Sequence, residues 1–169
     1  AFERIGAYLG QARYFSSVQE AADAMWAVSR SFGPHTPEQW LALSRAMVKP
    51  VSAVAGSKLR LHYDPAIAVP FQLLSEESAQ QGEALLWQLY DHIKAETLLL
   101  RGAQSDLLSR ETAQAMTQRG PKARLVEFAG VGHAPTLVAS DQVAAAAGFL
   151  LSERRALNGM NVDEKESRP

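Results

Sequence analysis

From Glu83 onward the chain alternates helical and extended apolar patterns, and this rhythm narrows the possible folds more than any other feature. Leu85, Leu86, Leu89, Tyr90 and Ile93 recur at helical spacing, and Thr97–Leu100 is a short apolar run of the buried-strand type. Arg110–Gln118 reads as a helix behind a Ser109 cap, Leu125–Phe128 as a second strand. Asp141–Leu151 reads as a closing helix that Ser140 can cap, with Val143, Ala147, Leu150 and Leu151 facing inward. Strands separated by helices pair in parallel through crossovers, so an α/β fold is expected, with this part at the edge of its sheet. Leu98-Leu99-Leu100 is apolar on both faces, as suits a strand with cover on each side.

Upstream the pattern is helical as far as about Lys49. Ser17 and Glu20 have the spacing of a capping box, and Val18, Ala21, Ala22, Met25, Val28 and Phe32 form an amphipathic stripe that stops near Gly33. Thr36-Pro37-Glu38-Gln39 is a second start signal, since proline at the first helical position has no donor to waste. Trp40, Leu41, Leu43, Ser44 and Met47 then face inward, until Lys49-Pro50 ends the helix. Lys58–Tyr63 alternates like a half-exposed strand, and the prolines at 65 and 70 break up any regular element after it. Ser75–Glu83 is polar and expected to be exposed. The expected organisation is a helical segment at 1–50, a connector at 51–82, an α/β portion at 83–157 and a flexible tail at 158–169.

Composition removes several classes of function. A chain of 169 residues supports one core of ordinary size, and 47% hydrophobic against 21% charged residues is the balance of a folded protein. The formal net charge of -1 offers no general attraction to nucleic acid or to an anionic membrane surface. Cysteine is absent, which removes disulfides, thiolate nucleophiles and cysteine-based metal sites; it fits a reducing compartment, and a cytoplasmic location is expected. The longest apolar stretch, Val143–Leu151, is too short to cross a bilayer. No signal peptide is recognisable in the opening Ala1-Phe2-Glu3-Arg4, and none is expected from it.

Each of the two strands runs into a loop that carries a chemically useful side chain. Asp106 comes within a few residues of the first, His133 of the second. Parallel neighbours lie about 4.8 Å apart, so both loops leave from the same end of the sheet, where functional groups of open α/β sheets gather. An imidazole titrates near neutral pH and can shuttle a proton, and a carboxylate on its second nitrogen fixes the tautomer. Gly130 and Gly132 let the histidine loop turn closely, and Pro135 restricts its exit.

Leu98-Leu99-Leu100-Arg101-Gly102 with Ser105-Asp106-Leu107-Leu108, and Phe128-Ala129-Gly130-Val131-Gly132-His133-Ala134-Pro135, resemble the acid and histidine segments of the α/β-hydrolase family. The resemblance covers most of the chain and implies that residues 1–50 are part of a helical cap, with 83–157 the C-terminal portion of the hydrolase core and the sheet incomplete. It assigns Asp106 as the triad acid and His133 as the triad base, in the family's chain order of nucleophile, acid, histidine. No Gly-x-Ser-x-Gly occurs, so the nucleophile and oxyanion donors are expected in an N-terminal segment ahead of residue 1 or on a complementary chain.

The implied activity is hydrolysis of small, largely apolar esters or related acyl compounds, without metal or other cofactor. Dehalogenase, epoxide-hydrolase or carbon–carbon bond hydrolase chemistry on the same scaffold is the alternative, as is a non-catalytic binding module. The partners expected are a small-molecule substrate and the complementary segment, with homo-oligomerisation open. Met25, Trp26, Trp40, Met47 and Phe71 are candidates to line the substrate pocket, although helical spacing favours plain packing. His35, His62 and His92 match no metal-ligand spacing and read as surface, packing or capping residues.

Overall fold

A computed structural model describes residues 10–73 and 75–163, with side chains described at 10–70, 75 and 77–151. Its first layer is built from two helices and a small sheet. Helix α1 (Val18–Ser29) starts at Ser17, whose hydroxyl accepts from the Glu20 amide at 3.1 Å. The Glu20 carboxylate reaches back one residue further than a closed capping box requires and accepts from the Ser16 amide at 2.7 Å. A single 3₁₀ turn, Arg30–Phe32, carries the chain to Gly33. Helix α2 (Pro37–Ala46) then opens on the complete box, with Thr36 and Gln39 each accepting from the other's amide.

The two helices are joined through Trp40, whose indole N–H donates to the Ala22 carbonyl at 2.8 Å. Around that bond lies the helical core of Phe15, Ala21, Ala22, Met25 and Trp40. Burying an aromatic ring of this size supplies much of what two short helices lack by themselves.

Residues read as purely helical up to Lys49 also contain two strands, β1 (Tyr14–Phe15) and β2 (Val48–Pro50). Both pair antiparallel with β3 (Leu59–Leu61), in the order β1-β3-β2. Strands of two or three residues carry too little periodicity to register in a sequence, whereas the alternation at Lys58–Tyr63 did signal β3. A 3₁₀ turn (Pro65–Ile67) and α3 (Ala68–Leu73) lead on to α4 (Glu76–Asp91). That helix begins at Glu76 behind a Ser75 cap, earlier than the apolar spacing indicates, because a Ser75–Ser78 box caps a polar first half.

The second layer is the expected pair of parallel strands. Strand β4 (Leu98–Gly102) runs in register with β5 (Arg124–Phe128), from Leu98 opposite Arg124 to Gly102 opposite Phe128. The crossover is α5 (Arg110–Gln118), capped by Ser109 and anchored by the fully buried Ala113. Tyr90 on α4 donates its hydroxyl to the Met116 carbonyl at 2.7 Å, and Arg119 pairs with Asp91, holding that carboxyl below its ordinary pKa.

Helix α6 spans Ser140–Asp163, continuing past Leu151. Ser140 is its first residue rather than its cap, since the Val143 amide bonds to the Ala139 carbonyl. The inward stripe also differs from expectation. Ala147 is half-buried, but Val143, Leu150 and Leu151 are exposed, while Gln142 is buried and Ala145, Ala146 and Phe149 are half-buried. The helix is turned this way because the Gln142 amide oxygen accepts from the Leu137 amide at 2.9 Å, a loop contact that an apolar count overlooks. Leu85, Leu86 and Leu89 on α4 are likewise exposed, the most open being Leu86 at 67%. Among the described residues the parallel sheet has two strands, and these leucines stay uncovered.

Arg101 is buried in β4 at 4% exposure and is fully occupied. It donates to Glu127 on β5 at 2.6 Å and to the carbonyls of Leu108, Ala103 and Ser105 at 2.8, 3.3 and 3.4 Å, while Arg110 also holds Glu127. A planar guanidinium can serve that many acceptors at once and an ammonium cannot. Arg101→Met is expected to cost about 3 kcal/mol of stability in urea denaturation, with Arg101→Lys recovering less than half. Ser44 presents the opposite case: its buried hydroxyl has no partner among the described residues. Ser44→Ala is expected to raise stability by about 1 kcal/mol in the same measurement.

Candidate active site

The carboxyl ends of β4 and β5 release two loops on the same side of the sheet, and a glycine decides how closely they meet. A side-chain carbon on Gly102 would run into the carbonyl oxygens of Gly132 and Val131, so only glycine lets the second loop cross the end of β4. Across this contact the Ala103 amide donates to the Phe128 carbonyl and the Gln104 amide to the Val131 carbonyl, both at 2.9 Å. The first loop is thus fastened to the second by backbone bonds, while Arg101 gathers its carbonyls from within.

The outcome is a meeting of side chains at the loop tips. Ser105 Oγ lies 3.5 Å from His133 Nδ1 and also accepts from the Leu108 amide at 3.1 Å. Asp106 is the next residue after Ser105 and is exposed, as is His133. Sequence reasoning singled out the acid and the imidazole and passed over Ser105 as a site residue. Its signal was there, because a serine three residues before Leu108 can close a local turn that aims its hydroxyl. It is Nδ1 of the ring, and not Nε2, that is set toward the first loop.

The histidine loop is also held from the helical layer. The Gly132 amide donates to the Ser31 carbonyl at 2.5 Å, and Gly33, at φ 115°, leaves room for the Val131 side chain. His35 sits between Gly33 and Thr136, with Nδ1 2.9 Å from the Gly33 carbonyl oxygen and Nε2 2.8 Å from Thr136 Oγ1. It packs edge-on against two of the proposed pocket residues, Trp26 at 6.2 Å and Trp40 at 5.6 Å between ring centres, and those two rings are 5.0 Å apart.

Among the other pocket candidates, Met25 is buried in the same helical core and Met47 is 44% exposed at the end of α2. The side chain of Phe71 lies outside the described residues. A depression elsewhere, lined by Arg13, Tyr14, Arg60, Tyr63 and Pro65, includes none of the five. Among the described residues no group of three or more His, Asp or Glu side chains is placed to hold a metal ion, and no helix is long and apolar enough to cross a membrane.

No family model matches the chain. It is 48% identical over 149 residues to the 3-hydroxybutyrate-oligomer hydrolase of Cupriavidus necator, a match covering 88% of this chain and 51% of that protein. Among solved structures it is similar to an α/β hydrolase from Novosphingobium aromaticivorans, with 32% identity and a TM-score of 0.69 over 88% of this chain and 50% of that one. The fold is also that of E-2-(acetamidomethylene)succinate hydrolase, at 17% identity and a TM-score of 0.58, over 86% of this chain and 48% of the other. The chain spans about half the length of these relatives, and over that half it is similar in sequence and in fold to α/β hydrolases.

Proposed function

We propose that this chain supplies the acid and the base of a Ser-His-Asp hydrolase acting on small, largely apolar esters, with Asp106 the acid and His133 the base. Residues 1–50 serve as part of the cap, 51–82 as a connector and 83–157 as the C-terminal core portion. The observation that carries the reading is the meeting of two loops at the carboxyl ends of parallel strands, where Ser105 Oγ lies 3.5 Å from His133 Nδ1. The neighbour of Asp106 in the chain therefore stands at the ring nitrogen a triad acid would serve. The exposed leucines of α4 and the two-stranded sheet support the further view that an N-terminal segment or complementary chain supplies more strands, the nucleophile and the oxyanion donors.

In that mechanism a serine outside this chain attacks the ester carbonyl carbon, and His133 Nε2 takes the hydroxyl proton as the new carbon–oxygen bond forms. The same ring returns the proton to the departing alkoxide. Water then attacks the acyl-enzyme, giving its proton to His133, and the acid is released as the serine regains a proton. The carboxylate steadies the imidazolium in both halves of the cycle. Short oligomers of 3-hydroxybutyrate, the substrate in the name of the Cupriavidus relative, are small esters that also carry a terminal carboxylate and hydroxyl, and they are the first to test beside an apolar ester.

In the intact protein, His133→Ala is expected to abolish hydrolysis of p-nitrophenyl butyrate and of linear 3-hydroxybutyrate dimer while the circular dichroism spectrum is retained. Retained turnover refutes the assignment. Asp106→Asn is expected to lower kcat by about 10⁴-fold, as loss of the orienting carboxylate does in serine proteases, with little change in KM. A loss of less than tenfold would remove Asp106 from the triad.

A further inference from the structure

We infer that His35 and Thr136 form a latch that positions His133, an inference that rests on the reading of His133 as the base. A carbonyl oxygen can only accept, so at Gly33 the His35 ring presents Nδ1–H. In the neutral ring Nε2 is then an acceptor, and it receives the Thr136 hydroxyl at 2.8 Å. One residue thereby ties together positions 101 apart in the chain.

The ring cannot swing freely. Trp26 and Trp40 stand edge-on to it, at interplanar angles of 86° and 65°, and Trp40 is itself pinned by its bond to the Ala22 carbonyl. A continuous line of packed or bonded groups therefore runs from the buried centre of the helical layer through His35 to Thr136, three residues beyond His133. On the near side the Gly132 amide is bonded to Ser31. His133 thus sits on a span whose two ends are fastened to the same short segment, residues 31–35, with one fastening made of backbone and the other of side chains. A base whose reach to its nucleophile must hold within a few tenths of an ångström gains from such a double anchor. His35 and Thr136 are positioning residues; neither touches the reacting atoms in this scheme.

The discriminating variant is Thr136→Val in the intact protein, which removes the hydroxyl and keeps the shape. Amide hydrogen exchange across residues 131–136 is expected to rise about tenfold. The kcat for p-nitrophenyl butyrate is expected to fall about 10- to 100-fold with KM within about twofold, and Thr136→Ser to restore both readouts. His35→Ala should reproduce the loss, and the double variant should be no worse than the poorer single one, as expected when two residues act through one bond. Unchanged exchange in Thr136→Val, failure of Thr136→Ser to rescue, or fully additive losses would each overturn the latch. A wild-type protein with no esterase activity would remove the triad reading, and the exchange comparison alone would then decide whether the latch exists.

Discussion

The architecture around the two loops depends on the close approach of backbone to backbone at Gly102. Any side chain there would collide with the carbonyls of Val131 and Gly132, forcing the second loop away from the end of β4 and breaking the amide bonds from Ala103 and Gln104. Those bonds are what convert two strand ends, merely neighbouring by virtue of parallel pairing, into one joined surface. The requirement is steric rather than chemical, yet it governs where every chemically useful side chain at this end of the sheet can stand. Arg101 completes the arrangement from below, because a buried guanidinium forces nearby carbonyls to turn toward it.

Much of this was legible in the sequence, for identifiable reasons. Parallel pairing came from strands separated by a helix, and α5 starts behind Ser109 because a serine hydroxyl can satisfy a free amide. The capping box at Thr36 and Gln39 formed as read, since both partners lie within one turn. Interactions between distant segments stayed hidden. Strand β1 exists only because Leu59 and Arg60 lie alongside it, and no local pattern in Tyr14-Phe15 announces that. The orientation of α6 likewise depends on a glutamine that bonds a loop amide, which apolar periodicity counts as noise.

The site shows the same division. Asp106 and His133 stood out because each comes a similar distance after an apolar strand; Ser105 signalled only a local turn, and its approach to His133, like that of His35 to Thr136, depends on distant segments meeting. The aromatic pair Trp26 and Trp40 pack against each other, as the helical spacing favoured, and against His35, which is bonded to the loop that carries His133. A ring cluster of this kind is a rigid support for the histidine set against it.

Strand β2 has a consequence for how this protein can be extended. Val51 and Met47 bond to Lys58 and His62 across the β2–β3 pair, so the intervening even-numbered backbone groups point outward, and at Pro50 that outer rim lacks a donor. The antiparallel sheet is thereby blunted on that side against recruiting a stray chain. Strand β4 contains no proline, and β5 is its one strand neighbour among the described residues. The two sheets thus differ at these edges: the outer rim of β2 is interrupted at Pro50, whereas β4 keeps a backbone donor at every residue from Leu98 to Gly102.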